Sequence, residues 1–315
     1  MRSIRRVLLF AKPTLVILCV CFFLRYLYDS LNISTYHLTW SYFKMPFFLA
    51  VGIVGIFIIA HILMAYSYFL SLKYMGCLVD FQSSWFIQGF ALPGKYLPGK
   101  IWLVAGTVVL LKRIGVNSTT ASFFIGIHFF TTLCASFALG LLALKQGIQS
   151  INQISGLYIL VLIVVPIIML HPKVLLMLSY QIEKYAKKNI YLTGLSFKQS
   201  LMIIFVKLVY FVILGIGYLI IVQFYATQTL NYKIEIMASF PLALTAGLLA
   251  FVLPAGIGVR EYVLMSILKL EGISDLNILV IIVSARFWTI IGEAILFVTS
   301  ILLYNKIFKK TVMRS

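Results

Sequence analysis

Acidic residues are scarce in this chain. Asp and Glu together number 8 in 315 residues, against 26 Lys and Arg. Charged residues of both signs amount to 11%, less than half of the roughly 25% that soluble domains carry. No long polar block exists from which a water-soluble domain could be built. The shortage of carboxylates also argues against a metal-dependent centre: Asp29, Asp80, Glu183 and Glu235 fall near the margins of apolar runs, and no paired acidic motif is present. H-E-x-x-H, G-x-S-x-G and Walker-type loops are missing too. Neither an enzymatic activity, a metal nor a cofactor is expected, and transport driven by ATP would need a partner chain. Cysteine is sparse as well. Cys19, Cys21, Cys77 and Cys134 form no C-x-x-C and lie in or beside apolar runs, which reads as small buried side chains.

What the chain has in quantity is apolar surface: 62% of residues are hydrophobic and the mean hydropathy is +1.06. Several apolar runs exceed the roughly 20 residues that cross a bilayer as a helix. The expected fold class is an all-α integral membrane protein, one polytopic domain over 1–315. Full transmembrane helices are expected near 13–28, 47–72, 118–144, 156–171, 200–225 and 277–303. The first resembles a signal peptide, but Lys12-Pro13 interrupts it and no small-x-small cleavage site follows, so it reads as a retained helix. Two further runs, 81–111 and 237–270, are long enough to span but are broken by Pro93-Gly-Lys-Tyr-Leu-Pro-Gly-Lys100 and Pro254-Ala-Gly-Ile-Gly-Val-Arg-Glu261. Within 173–188, Leu175, Leu178, Ile182 and Tyr185 share a face opposite Lys184, Lys187 and Lys188, the pattern of an interfacial basic helix.

The excess of 18 positive charges does not read as a nucleic-acid footprint. The basic residues cluster at the ends of apolar runs, as the positive-inside rule requires, and such clusters attract anionic headgroups. The N-terminus, Lys112-Arg113, the 173–198 stretch and the C-terminal tail are all expected on the cytoplasmic side of a cell membrane. One scheme satisfies all four: six crossings, with the two broken runs as re-entrant hairpins dipping in from opposite faces.

The chain also repeats. Half 13–144 and half 156–303 each read helix, helix, broken hairpin, helix, and Leu110–Val116 aligns with Ile267–Ile273 at an offset of 157. With the orientation above, the repeat is inverted. Gly/Pro-broken segments at matching positions of inverted halves point to a transporter site, because exposed backbone at membrane depth survives only where protein or a watery cavity satisfies it.

Candidate site residues gather there. Lys95 and Lys100 flank the first tip; Arg260 and Glu261 close the second. Pro93, Gly94, Pro98, Gly99, Pro254, Gly256 and Gly258 are the hinges, by helix breaking and turn freedom. Arg286 and Glu293 lie inside the last apolar run, seven apart and so on one face. Charges inside a span are costly and face the protein interior. The functional reading is a cationic pocket for a phosphate-bearing headgroup. The competing readings are snorkelling lysines, an Arg260–Glu261 pair, and a structural network such as Arg286 with Glu261. His128, and with less reason His61, reads either as a hydrogen-bonded core residue or as a titrating group.

Lys95-Tyr-Leu-Pro-Gly-Lys-Ile-Trp102 with Leu110–Val116 resembles the first signature of the lysylphosphatidylglycerol synthase transmembrane-region family. Leu253-Pro-Ala-Gly-Ile-Gly-Val-Arg-Glu261, followed by Gly272 and Arg286, resembles the second. The similarity runs over roughly 5–305. It implies a flippase-like domain, here stand-alone: no aminoacyl-transferase block follows the membrane part in this sequence, so lipid aminoacylation is not carried over. Ala255 departs from the glycine common in the second signature, and His128 stands where many relatives carry a charge. The expected function is flippase-like transport of a phosphate-bearing lipid, a phospholipid or lipid-linked glycan, in cell-envelope biosynthesis. The expected partners are membrane lipids and a glycosyltransferase or other envelope-synthesis protein, with no nucleic acid. The alternative is a non-transporting scaffold of a glycan-synthesis complex.

Overall fold

A computed structural model describes residues 43–97, 101–149, 195–226, 229–250 and 253–312. Every regular element among them is helical: α1 (Phe47–Tyr74), α2 (Phe81–Ala91), a 3-10 turn (Leu92–Tyr96), α3 (Ile101–Arg113), α4 (Ser118–Gln149), α5 (Phe197–Tyr225), α6 (Lys233–Leu249), a second 3-10 turn (Pro254–Gly256), α7 (Val259–Leu270) and α8 (Asp275–Val312). The first and fourth expected spans and the interfacial helix 173–188 lie outside the described residues.

Four helices are long and apolar enough to cross a membrane: Phe47–Tyr74, Ser118–Ala143, Phe197–Tyr225 and Asp275–Ile307. Even the shortest of these, Ser118–Ala143 at 26 residues, measures about 39 Å at 1.5 Å per residue, against a hydrocarbon core of about 30 Å. Their outward faces are apolar, with Val51, Ile59 and Ile62 on α1, Leu201, Phe205 and Ile216 on α5, and Phe287, Val298 and Leu302 on α8 all exposed. An exterior of this kind suits hydrocarbon, not water.

The remaining helices are too short to cross. α2 has 11 residues and α3 has 13; α6 has 17 and α7 has 12. Each pair is a hairpin broken at its tip, and the start of each is pinned. Asp80 caps α2 by accepting from the Ser83 amide at 2.9 Å. Glu271, just past α7, accepts from the Asn231 and Tyr232 amides at 3.1 and 2.6 Å, so the second hairpin closes on itself at its open end.

Two apolar clusters fill the interior. One joins Tyr68 and Leu72 late in α1, Phe86 and Ile87 of α2, Leu110 and Leu111 of α3, Phe124 early in α4, Ile203 early in α5 and Ile307 late in α8. The other joins Ile53 and Phe57 early in α1, Ala143 late in α4, Ile221 late in α5, Phe240 of α6, Leu268 of α7 and Ile281 early in α8. So α1 and α8 run from the second cluster to the first, and α4 and α5 run the other way. Tyr225, ending α5, donates to the Phe43 carbonyl ahead of α1 at 3.4 Å. The open end of the first hairpin joins the first cluster, that of the second hairpin the second, and the two 3-10 tips touch. Packing partners come in matched sets: α1 on α2 as α5 on α6, α2 on α8 as α6 on α4, α1 on α8 as α5 on α4, α3 on α4 as α7 on α8.

Close approach holds the first hairpin against α8. A methyl group added at Gly89 would sit 2.7 Å from the Leu296 carbonyl oxygen, and nearer still to the Ser300 hydroxyl. Gly89→Ala should therefore cost about 1–3 kcal/mol through overpacking, read as a lower melting temperature in detergent. Gly52→Ala, with nothing within 4 Å, should be neutral or raise it, because alanine is the better helix former. Equal melting temperatures for the two variants would show that α2 and α8 are not in this contact.

Candidate functional site

Proline and glycine set the tip geometry. Pro93 and Gly94 lie in the first 3-10 turn, and a Cβ on Gly94 would meet the Leu103 amide nitrogen at 2.6 Å. The second tip passes through left-handed backbone at Ala255 (φ 50), Gly256 (φ 70) and Gly258 (φ 86). Only glycine adopts that region freely, so Ala255 holds a conformation strained for its side chain. Pro254 opens this turn. Pro98, Gly99 and Lys100 lie outside the described residues.

The tips carry the charges together. Lys95 pairs with Glu293 of α8 through Nζ and Oε1, and the Tyr96 hydroxyl donates to Glu293 Oε2 at 2.7 Å. Arg286 Nε donates to Glu261 Oε1 at 2.6 Å. Glu261 Oε2 accepts from the Gly258 amide at 2.7 Å, so this carboxylate caps α7 while neutralising a cation from α8. Arg260 does not pair with Glu261, its sequence neighbour. Its guanidinium instead lies over the Phe240 ring at 5.7 Å from the centroid. It sits within electrostatic reach of Arg286, Glu261, Glu293 and Tyr96.

Arg260, Glu261, Arg286 and Glu293 are all buried. With Lys95 they place three cations against two carboxylates in one region. Both carboxylates are fully engaged, and Arg260 Nε, with no access to solvent, has no hydrogen-bond partner among the described residues. Buried polar groups are nearly always satisfied, and an exception needs a reason. An anion with several acceptor oxygens is a group that would supply one.

Next to this cluster an open cleft is lined by Leu92, Pro93, Tyr96, Ile290, Glu293, Ala294 and Phe297. Its walls are apolar apart from the Tyr96 and Glu293 side chains, and they include Ile290, exposed on α8. Behind it, His61 of α1 has Nδ1 3.5 Å from Gln88 Nε2 of α2 and lies within electrostatic reach of Glu293 and Lys95.

Of the six charged residues expected from sequence, five are thus placed around the two tips. Sequence reasoning did not single out Tyr96, which ligates Glu293, or Phe240, which receives Arg260. It also passed over Lys207, fully buried in the middle of α5. The signal for Lys207 was present: a lone lysine inside an otherwise apolar span is costly enough to demand a role.

No family model matches the chain, and no curated protein matches it. The resemblance read from its two signatures therefore rests on those residues alone.

Breaking one pair should expose the coupling. Glu261→Ala leaves Arg286 and Arg260 short of an anion in a buried place, a loss of about 3–5 kcal/mol. Adding Arg286→Met, which removes the stranded charge, should restore much of it. Melting temperatures of the single and double variants in detergent check this; a double variant no more stable than Glu261→Ala would mean the two side chains are not energetically joined.

Proposed function

We propose that this chain is a flippase-like transporter for a phosphate-bearing lipid in the cell membrane, with both termini cytoplasmic and its halves arranged as an inverted repeat. The observation that carries the reading is the meeting of two broken hairpin tips around a buried excess of positive charge, with an Arg260 donor unsatisfied. The antiparallel runs of α1 against α5 and of α4 against α8, and the matched packing sets, support the repeat. The basic clusters at the ends of apolar runs support the orientation.

In this reading a phosphate oxygen takes the free Arg260 donor. Phosphate is also the stronger competitor for Lys95 and Arg286, each now held by an internal carboxylate. Glu293 and Glu261 act as placeholders: they keep the cations neutralised and pointed inward when no lipid is bound, and release them when the headgroup arrives. The apolar cleft beside Tyr96 and Glu293 leaves a place for the lipid chain while its headgroup reaches the tips. A hairpin reaching in from each side gives each leaflet its own gate, in keeping with alternating access around a fixed midplane site.

The test is reconstitution in proteoliposomes, following quenching of fluorescent phosphatidylglycerol and a fluorescent short-chain polyprenyl phosphate from the outer leaflet. A hydrogen bond to a charged group contributes about 1.5–3 kcal/mol, so Arg260→Ala should slow translocation about tenfold or more. An unchanged rate would remove the proposed site. Full rescue of a deletion strain by an Arg260→Ala/Arg286→Ala double variant would favour the scaffold reading.

A further inference from the structure

A further buried cation lies apart from the hairpin tips, where α5 meets α4. Lys207 Nζ sits 2.7 Å from the His128 carbonyl oxygen, 2.6 Å from Thr131 Oγ1, 2.9 Å from Thr132 Oγ1 and 3.0 Å from His128 Nδ1. The Thr131 hydroxyl donates to the Ile127 carbonyl at 2.7 Å and that of Thr132 to the His128 carbonyl at 2.6 Å. Their protons are thereby engaged and their lone pairs face the amine. No carboxylate pairs with Lys207 among the described residues.

Four acceptors thus surround a group that offers at most three protons. Three are oxygens, enough to satisfy an ammonium. The fourth, a ring nitrogen, is different in kind, because it accepts in one tautomer and donates in the other. We propose that Lys207 and His128 form a proton-exchange site, a place where the chain binds and releases one proton within the membrane.

The step balances within the pair. In the loaded state the ammonium donates to two of the oxygens and to an unprotonated Nδ1, with the imidazole proton on Nε2. On unloading, one Nζ–H bond breaks and an Nδ1–H bond forms; the resulting imidazolium gives its Nε2 proton to water. A neutral amine remains, its lone pair accepting from Nδ1–H and its two protons still held by oxygens. In both states every proton on Nζ, and the one shared with Nδ1, has an acceptor, so the pair supports both at little cost. A lysine with a purely structural role would need only the oxygens.

Few other ionisable groups bear on the pair. α4 brings Cys134 within electrostatic reach of Lys207, and α1 sets Tyr68 edge-to-face against the His128 ring, centroids 4.5 Å apart. From α6 and α8 no ionisable side chain reaches either residue among the described residues. The hairpin-tip carboxylates are therefore separate from this site. That a proton bound here drives lipid movement rests on the transport reading; the exchange itself does not.

Nitrogen NMR on ¹⁵N-histidine protein in lipid bilayers tests the proposal directly. The chain has four histidines, and His128→Asn assigns the signal. Between about pH 5 and 9, His128 Nδ1 should change from unprotonated to protonated as pH rises. Lys207→Arg keeps a cation that does not release its proton, and should hold Nδ1 unprotonated throughout. A wild-type Nδ1 fixed in one state, or a change that persists in Lys207→Arg, overturns the proposal. In proteoliposomes, an imposed pH gradient should accelerate lipid translocation by the wild type and not by Lys207→Arg. A wild type that shows the NMR change but moves no lipid would overturn the transport reading and leave the exchange site standing.

Discussion

Backbone interrupted between buried helices governs this structure. Each break frees amide and carbonyl groups where no bulk water can receive them, at several kcal/mol apiece if nothing else does. The second tip meets that demand partly through Glu261, which accepts the Gly258 amide. A carboxylate in such a place brings a charge that must itself be neutralised. Arg286 does so from α8. The cation in the last span is thus a consequence of the broken helix in front of it, and hairpin and span are locked together by one carboxylate with two duties.

The first tip solves the same problem with the roles exchanged. There the hairpin supplies the cation, Lys95, and α8 supplies the carboxylate, Glu293, with Tyr96 adding a hydroxyl. One helix, α8, therefore carries the answering charge for both tips, on residues two turns apart on one face. This explains why two hairpins with open ends in different clusters meet at their tips: each is drawn to the same stretch of α8. Arg260 is the remainder of that scheme. Two carboxylates have been allotted to two cations, and the third cation is left with an aromatic face, which offers weaker compensation than a carboxylate. In the proposed function this third cation is the one an incoming anion meets.

Much of the fold was legible because hydrophobic length and Pro/Gly breaks act locally. The expected spans 47–72 and 200–225 came within three residues of α1 and α5, while 118–144 and 277–303 fell short of α4 and α8, which continue past the apolar stretch into polar residues that a helix tolerates. The Arg286–Glu261 pair was one of the alternatives the sequence offered, since both residues are conspicuous charges in apolar surroundings. The Lys95–Glu293 pair was not, because nothing local relates residues 198 apart in sequence. Arg260 and Glu261 are adjacent, and adjacency suggested a pair; helical geometry sends neighbouring side chains to different faces, so the carboxylate turned to α8 and the guanidinium to Phe240. The matched packing sets had a trace in sequence, the Leu110–Val116 and Ile267–Ile273 similarity, but which helix faces which is a property of the assembled bundle.

The two buried charge clusters differ in a way that bears on how the molecule works. Around the hairpin tips, compensation is electrostatic: carboxylates answer cations. Around Lys207, compensation is by neutral carbonyl and hydroxyl dipoles with one ring nitrogen. In the readings proposed above, the first answers a ligand's charge and the second answers proton activity. They sit on different helix pairs, yet α5 packs against α1 and α8 as well as α4, and Tyr210, one turn beyond Lys207, lies within electrostatic reach of Glu293 and Arg260. A shift of α5 against α4 that followed loss of the Lys207 charge would be felt at the tips through that turn. Coupling of this kind needs no chain of proton carriers between the clusters, only one rigid helix with a different switch at each of its contacts.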